Sequence, residues 1–200
     1  MATRMDEIAI PLSEFYVGVT TLVPDSAAVK SGTVIDVDAY GVPTDGGWMH
    51  IGATIGEGTW EYSRDTIELE IEQVSGIPAD GIIYNNDSVT LTIPIAQLEY
   101  TRLERATQGD SYSGTGGSIV TVGGKTEPEM FSVCLIAEHR AGKGVFHQFV
   151  IYKAISSEGT SLSFSKADAM TYEMTCRGLI DIDRDKGDQL GFAFIAEVPV

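Results

Sequence analysis

Basic residues are scarce in this chain: 13 Lys and Arg stand against 29 Asp and Glu, a formal net charge of −16. Such a surface gains no affinity for nucleic acid by releasing counterions from phosphates, so ordinary DNA-binding and RNA-binding roles fall away. Cysteine is nearly absent. Cys134 and Cys176 lie in separate strand-like segments and make no Cys-x-x-Cys or Cys/His spacing, so no metal site is expected, and both read as core residues. Their pairing, with each other or with a neighbour, is left open by the sequence. No run approaches the ~20 apolar residues that a spanning helix needs. The amino end, Met1–Leu12, carries Arg4, Asp6 and Glu7 around a short Ile8–Ile10 stretch, which predicts neither a secretory signal nor a membrane anchor.

Catalytic constellations are missing too. His50, His139 and His147 form no metal-spaced pair, and no Gly-x-Ser-x-Gly elbow occurs. Gly124-Lys125-Thr126 imitates the close of a phosphate loop, but Ile119 stands where that motif needs Gly, and a long loop is the better reading. Asp181, Asp183, Asp185 and Asp188 imitate a calcium loop, yet Lys186 replaces the turn Gly and Phe192 the bidentate acid. With Arg184 and Lys186 among them, these acids read as a solvated turn. An enzyme is therefore not expected, nor any cofactor.

What is present is strand. With 200 residues and 43% hydrophobic content, the chain is long enough to bury a real core as one domain. Thr66–Gln73 alternates, Ile67, Leu69 and Ile71 on a core face and Glu68, Glu70 and Glu72 on an acidic one. Val89–Ile95 repeats the alternation after the turn formers Asn85, Asn86 and Asp87, and Pro94 marks a strand end or an edge. Ile95–Thr107 changes to helical spacing, the one good helix candidate, with Gly109 placed for a left-handed cap. The Gly/Ser-rich stretch 108–128 predicts a long loop or loose hairpin. Beyond it, Met130–Ala137, Val145–Ile155, Ser161–Phe164, Tyr172–Ile182 and Gly191–Val198 read as strands. Phe146 to Tyr152 is apolar on both faces, as a central strand should be. The fold class predicted is mainly β, a β-sandwich or barrel with one flanking α-helix and extended loops or arms. Trp48, Trp60 and Tyr62 read as core and turn packing, with an aromatic platform for sugars as the alternative.

Three blocks in order carry a family resemblance. Gly47-Trp48-Met49-His50-Ile51-Gly52 comes first, then Gly58-Thr59-Trp60-Glu61-Tyr62, then Ile67-Glu68-Leu69-Glu70-Ile71-Glu72-Gln73. This succession resembles the amino half of phage major tail tube proteins. The strand and helix over Val89–Thr107 and the later block Phe146–Asp183, centred on Ser161–Lys166, extend the likeness over roughly two thirds of the chain. Gln97 departs from the acid often found at that helix's start. The resemblance implies a single tail-tube-like domain over 1–200, self-association into six-membered rings, and rings stacked into a hollow virion tail assembled from subunits made in the host cytoplasm. DNA would pass through the channel without specific binding. It also implies that Thr33–Gly47, Gly109–Glu127 and the termini reach neighbouring rings, and that tail sheath, tape measure, baseplate and tail terminator proteins are partners. Glu68, Glu70 and Glu72 are the candidate lumen-facing acids. The competing expectations are a carbohydrate-binding β-sandwich, or a tail-end, baseplate or injection-machine inner-tube ring protein.

Overall fold

The fold is described from a computed structural model, which covers residues 13–18, 23–44, 46–55, 58–68, 82–138, 144–163 and 170–196. It is mainly β, with a curled, half-barrel sheet and few helices. In chain order the elements are β1 (Ser13–Gly18), α1 (Ser26–Lys30), β2 (Met49–His50), β3 (Thr59–Glu68), β4 (Ile82–Ile95) and α2 (Tyr100–Thr107). There follow β5 (Ser111–Gly114), β6 (Gly117–Val120), β7 (Phe131–Glu138), β8 (Phe146–Ser156), β9 (Leu162–Ser163), β10 (Thr171–Gly178) and β11 (Gly191–Phe194). The main sheet runs β2-β1-β7-β8-β10-β4-β3, with β11 added to β8 and β9 to β10, while β5 and β6 form a separate hairpin.

Strand alternation in β4 determines one core. Val89, Leu91, Ile93 and Ile95 are buried in one cluster with Val133 of β7, Ile151 of β8, and Met174 and Cys176 of β10. Each such side chain contributes about 1.5–3 kcal/mol on leaving water. As its doubly apolar pattern predicts, β8 is central and feeds both faces: Ile151 enters this first core, whereas Phe146, Val150 and Tyr152 enter a second with Cys134 and Ile136. The second core is covered by Ile35, with Val23, Val29, Val37 and Trp48 packed against it. Gln148 fixes that cover, its buried amide accepting from Ile35 N–H at 3.0 Å and donating to Ile35 C=O at 2.7 Å. At the following turn Gly41 has φ +81°, and a Cβ there would stand 2.7 Å from the Phe146 ring, so only glycine fits.

Several boundaries differ from the sequence expectation. The helix begins at Tyr100 rather than Ile95, because β4 runs on through Ile95, which pairs with Tyr172. Its left-handed cap is Gln108 (φ 55°), not Gly109. Gly109 is needed instead because a Cβ there would collide with the Thr121 carbonyl. The short helix α1 was not anticipated, five residues being too few to show a period; Asp25 caps it by accepting from Ala28 N–H at 2.8 Å. Asn85, Asn86 and Asp87 do not make a turn but lie inside β4, where Asn86 takes φ 56° and the register against β3 shifts between Arg64 and Thr66. Their turn chemistry was spent on a bulge. Pro94 does sit next to the end of its strand. The expected strand over Thr66–Gln73 begins earlier, at Thr59, and Ile67 is exposed rather than core, since that end of the β3/β4 ribbon extends beyond β10. Tyr172–Ile182 shortens to Thr171–Gly178, and the 108–128 stretch forms the β5–β6 hairpin.

Cys134 and Cys176 are free and fully buried. Burial raises both thiols, Cys176 to about 12. Neither should react with a disulfide reagent near pH 8 while the protein is folded, and both should react on denaturation. A stoichiometric native-state reaction at either thiol contradicts this placement.

Candidate assembly surfaces

The ribbon β3/β4 is the most exposed part of the sheet. β3 lies at the edge, paired to β4 from Thr59↔Thr92 to Glu68↔Ile82, and its outer side has no strand partner among the described residues. Tyr62, Ile67, Ile82 and Tyr84 are all exposed on this ribbon. Arg64 lies between two of their rings, 5.5 Å from the Tyr62 centroid and 4.5 Å from that of Tyr84, and forms a two-point pair with Asp87 at 2.6 and 2.9 Å. The Arg64 hydrogen bonds hold the Asp87 carboxyl below its ordinary value. At the opposite edge of the sheet, the two-residue β2 covers β1 only at Tyr16 and Val17. Among the described residues the sheet therefore presents an open strand at each end.

A fork opens beside the ribbon. β10 pairs with both β8 and β4 but ends at Gly178; the chain turns through 179–190 and rejoins β8 as β11, with Gly191 opposite Ile151. β11 has no partner on its other side among the described residues, and β4 continues past Thr90 without β10. Between them lies a cleft of about 230 Å³ lined by Trp60, Tyr62, Arg64, Asp87, Val89, Leu190 and Phe192, among others. Trp60 and Tyr62 therefore meet there, but Trp48 does not join them: it packs on the second core. The three-ring sugar platform is not assembled, and Arg64 already stands over Tyr62.

The 181–190 turn is a correction to the solvated reading. Arg184 is only 9% exposed; it pairs with Asp188 at 3.0 Å, approaches Asp181 at 3.7 Å, and stacks 3.4 Å above the Tyr152 ring. It also donates to the Pro24 carbonyl, while the Tyr152 hydroxyl donates to Asp188. Lys153 pairs with Asp181 at 2.8 Å and Lys30 with Asp185 at 2.6 Å. Burial would raise the Asp181 carboxyl, but the Lys153 hydrogen bond, the Asp183 N–H and the two cations outweigh it and hold the group low. No spacing rule foretells this network, whose members come from α1's flank, β8 and the turn.

The remaining sequence candidates are dispersed. The β3 backbone ends at Glu68, opposite Ile82; Glu70 and Glu72 lie outside the described residues. His50 Nδ1 accepts from Gly52 N–H and His147 Nδ1 from Ala196 N–H, each at 3.1 Å. Lys125 pairs with Asp110 and Glu129 at the base of the hairpin. Among the described residues no three His, Cys, Asp or Glu could hold a metal ion, and no helix is long and apolar enough to cross a membrane. Compared with protein-family models and with curated proteins, the chain matches none.

Proposed function

We propose that this chain is a structural subunit that associates with copies of itself into rings, and stacks those rings into a tube of the phage tail type, a channel for DNA. The observation that carries the reading is the curled sheet, open at both ends among the described residues, with ten-residue β3 at one edge and barely covered β1 at the other. Unpaired edges invite pairing with another chain, and natural monomers blunt them with charge, proline or cover. Here Ile67, Ile82 and Tyr84 stand exposed on the ribbon beside the charges of Glu61, Arg64 and Asp65. Joining β3 of one copy to the β1/β2 edge of the next is a head-to-tail contact, which closes into a ring when the rotation per copy permits. A ring of curled sheets makes one continuous wall.

The net charge of −16 fits a wall that conducts DNA without holding it, because carboxylates repel phosphates over about a Debye length, ~8 Å at physiological salt. Glu68, Glu70 and Glu72 are assigned to that wall, with the virion tail as the site of action and tail proteins as the neighbours. Electron microscopy of the purified full chain over a concentration series, with its mass in solution, is the test. Rings or tubes with a central hole are expected; a strict monomer at millimolar concentration overturns the proposal.

A further inference from the structure

Two features of the subunit are left without a use inside it. One is the tip of the β5–β6 hairpin. Its base is fastened to α2 by Ser111 Oγ, which donates to Glu104 at 2.7 Å, and is closed on itself where Thr121 N–H donates to the Asp110 carbonyl at 2.9 Å and Gly109 passes against the Thr121 backbone. Among the described residues the hairpin pairs with no other strand. Yet Tyr112 and Ile119, direct cross-strand partners, are 59% and 66% exposed, and Val122 just beyond is 77% exposed. Two-stranded hairpins are marginal alone in water, and this one holds an apolar pair outward. The other feature is the fork between β4 and β11, with an apolar, aromatic-lined cleft and an open strand edge on β11.

From these we infer that the β5–β6 hairpin of one copy docks in the β4/β11 fork of a second copy, Tyr112 and Ile119 entering the cleft against Trp60 and Phe192. Electrostatics select the pairing. Two copies each carrying −16 repel wherever their acids meet, but no residue from Ser111 to Val122 is charged. In the fork, the charges of Arg64 and Asp87 cancel in their own two-point pair. A neutral apolar tip therefore approaches a neutral apolar cleft, on a chain whose surface otherwise resists its own kind. Backbone chemistry agrees, since among the described residues the hairpin has unpaired strand edges and β11 has one to extend. Tip and cleft are different surfaces, so each copy can give one and receive one, and the contact propagates. The partner being a second copy rests on the self-assembly proposed above; the docking site itself rests on the hairpin and the fork.

The test uses full-length protein. Ile119→Cys and Ala193→Cys, both at exposed positions, are prepared separately with tags of different mass, mixed under assembly conditions and oxidised. The expected product is the mixed disulfide, in excess over either homodimer, because Ala193 lines the fork. In parallel, Tyr112→Ser/Ile119→Ser, checked for native circular dichroism, should raise the concentration needed for assembly by at least about tenfold. If the unmodified chain assembles while the mixed disulfide is absent or merely statistical, the inference falls and the tube reading stands. Assembly of the serine variant at the unmodified concentration has the same consequence. Should the unmodified chain never assemble, both fall together.

Discussion

Arg184→Met lowers the unfolding free energy by about 3–5 kcal/mol, the cost of leaving buried acids without their cation. Asp188 is buried and its carboxylate faces Arg184 on one side and the Tyr152 hydroxyl on the other, while Asp181 keeps Lys153 and the Asp183 N–H. The substitution also removes the guanidinium from the Tyr152 ring and the donor from the Pro24 carbonyl, loosening the segment that leads into α1. Replacing the acids as well separates charge from packing. Arg184→Met combined with Asp181→Asn and Asp188→Asn should recover most of the loss, since removal of a whole buried ionic group costs far less than removal of one partner. Urea unfolding of the three proteins checks this; a single variant within about 1 kcal/mol of the original would mean that water already screens the network.

The same network sets the direction of the acid response. Asp181 is held below its unfolded value of about 4, so its contribution is fully present above that pH and is lost as pH falls through the folded value. The original protein should therefore lose stability more steeply below about pH 4 than Arg184→Met, in which one cause of the depression is gone.

Legibility in the sequence followed the range of the interaction. Strands whose pattern is local were readable: β4 from Val89 to Ile95, and β8 from its two apolar faces. Errors arose where distant residues decide. Ile67 looks like core because it alternates with acids, but among the described residues no strand pairs beyond β3 and β4 at that end of the ribbon, and Ile67 is exposed. Asn85–Asp87 look like a turn, and the register of β3 makes them a bulge. Of the four aspartates read as a solvated run, Asp183 and Asp185 are exposed, whereas Asp181 and Asp188 are drawn in by Lys153 and Tyr152, 28 and 36 positions away. The proposed assembly surfaces are half visible: the hairpin shows as a Gly/Ser-rich stretch, whereas the fork exists only because β10 and β11 share β8 across an excursion of the chain.

Ile67→Lys should abolish assembly while leaving the subunit folded. Ile67 is exposed on the edge strand, so the monomer's stability should change by no more than about 0.5 kcal/mol. A lysine there is the device by which monomeric β-proteins keep their edges apart, since adding a strand would desolvate its ammonium. Its position tests the edge and not the charge balance: the substitution reduces the net charge from −16 to −15, and on repulsion alone it should help copies meet. Salt supplies the control. Raising ionic strength from 0.01 to 0.15 M shortens the Debye length from about 30 to about 8 Å and should promote assembly of the unmodified chain. Ile67→Lys should remain monomeric at both, by sedimentation and by microscopy. Tubes formed by this variant at the unmodified concentration would remove β3 from the contact, and with it the edge-to-edge ring on which the proposed channel depends.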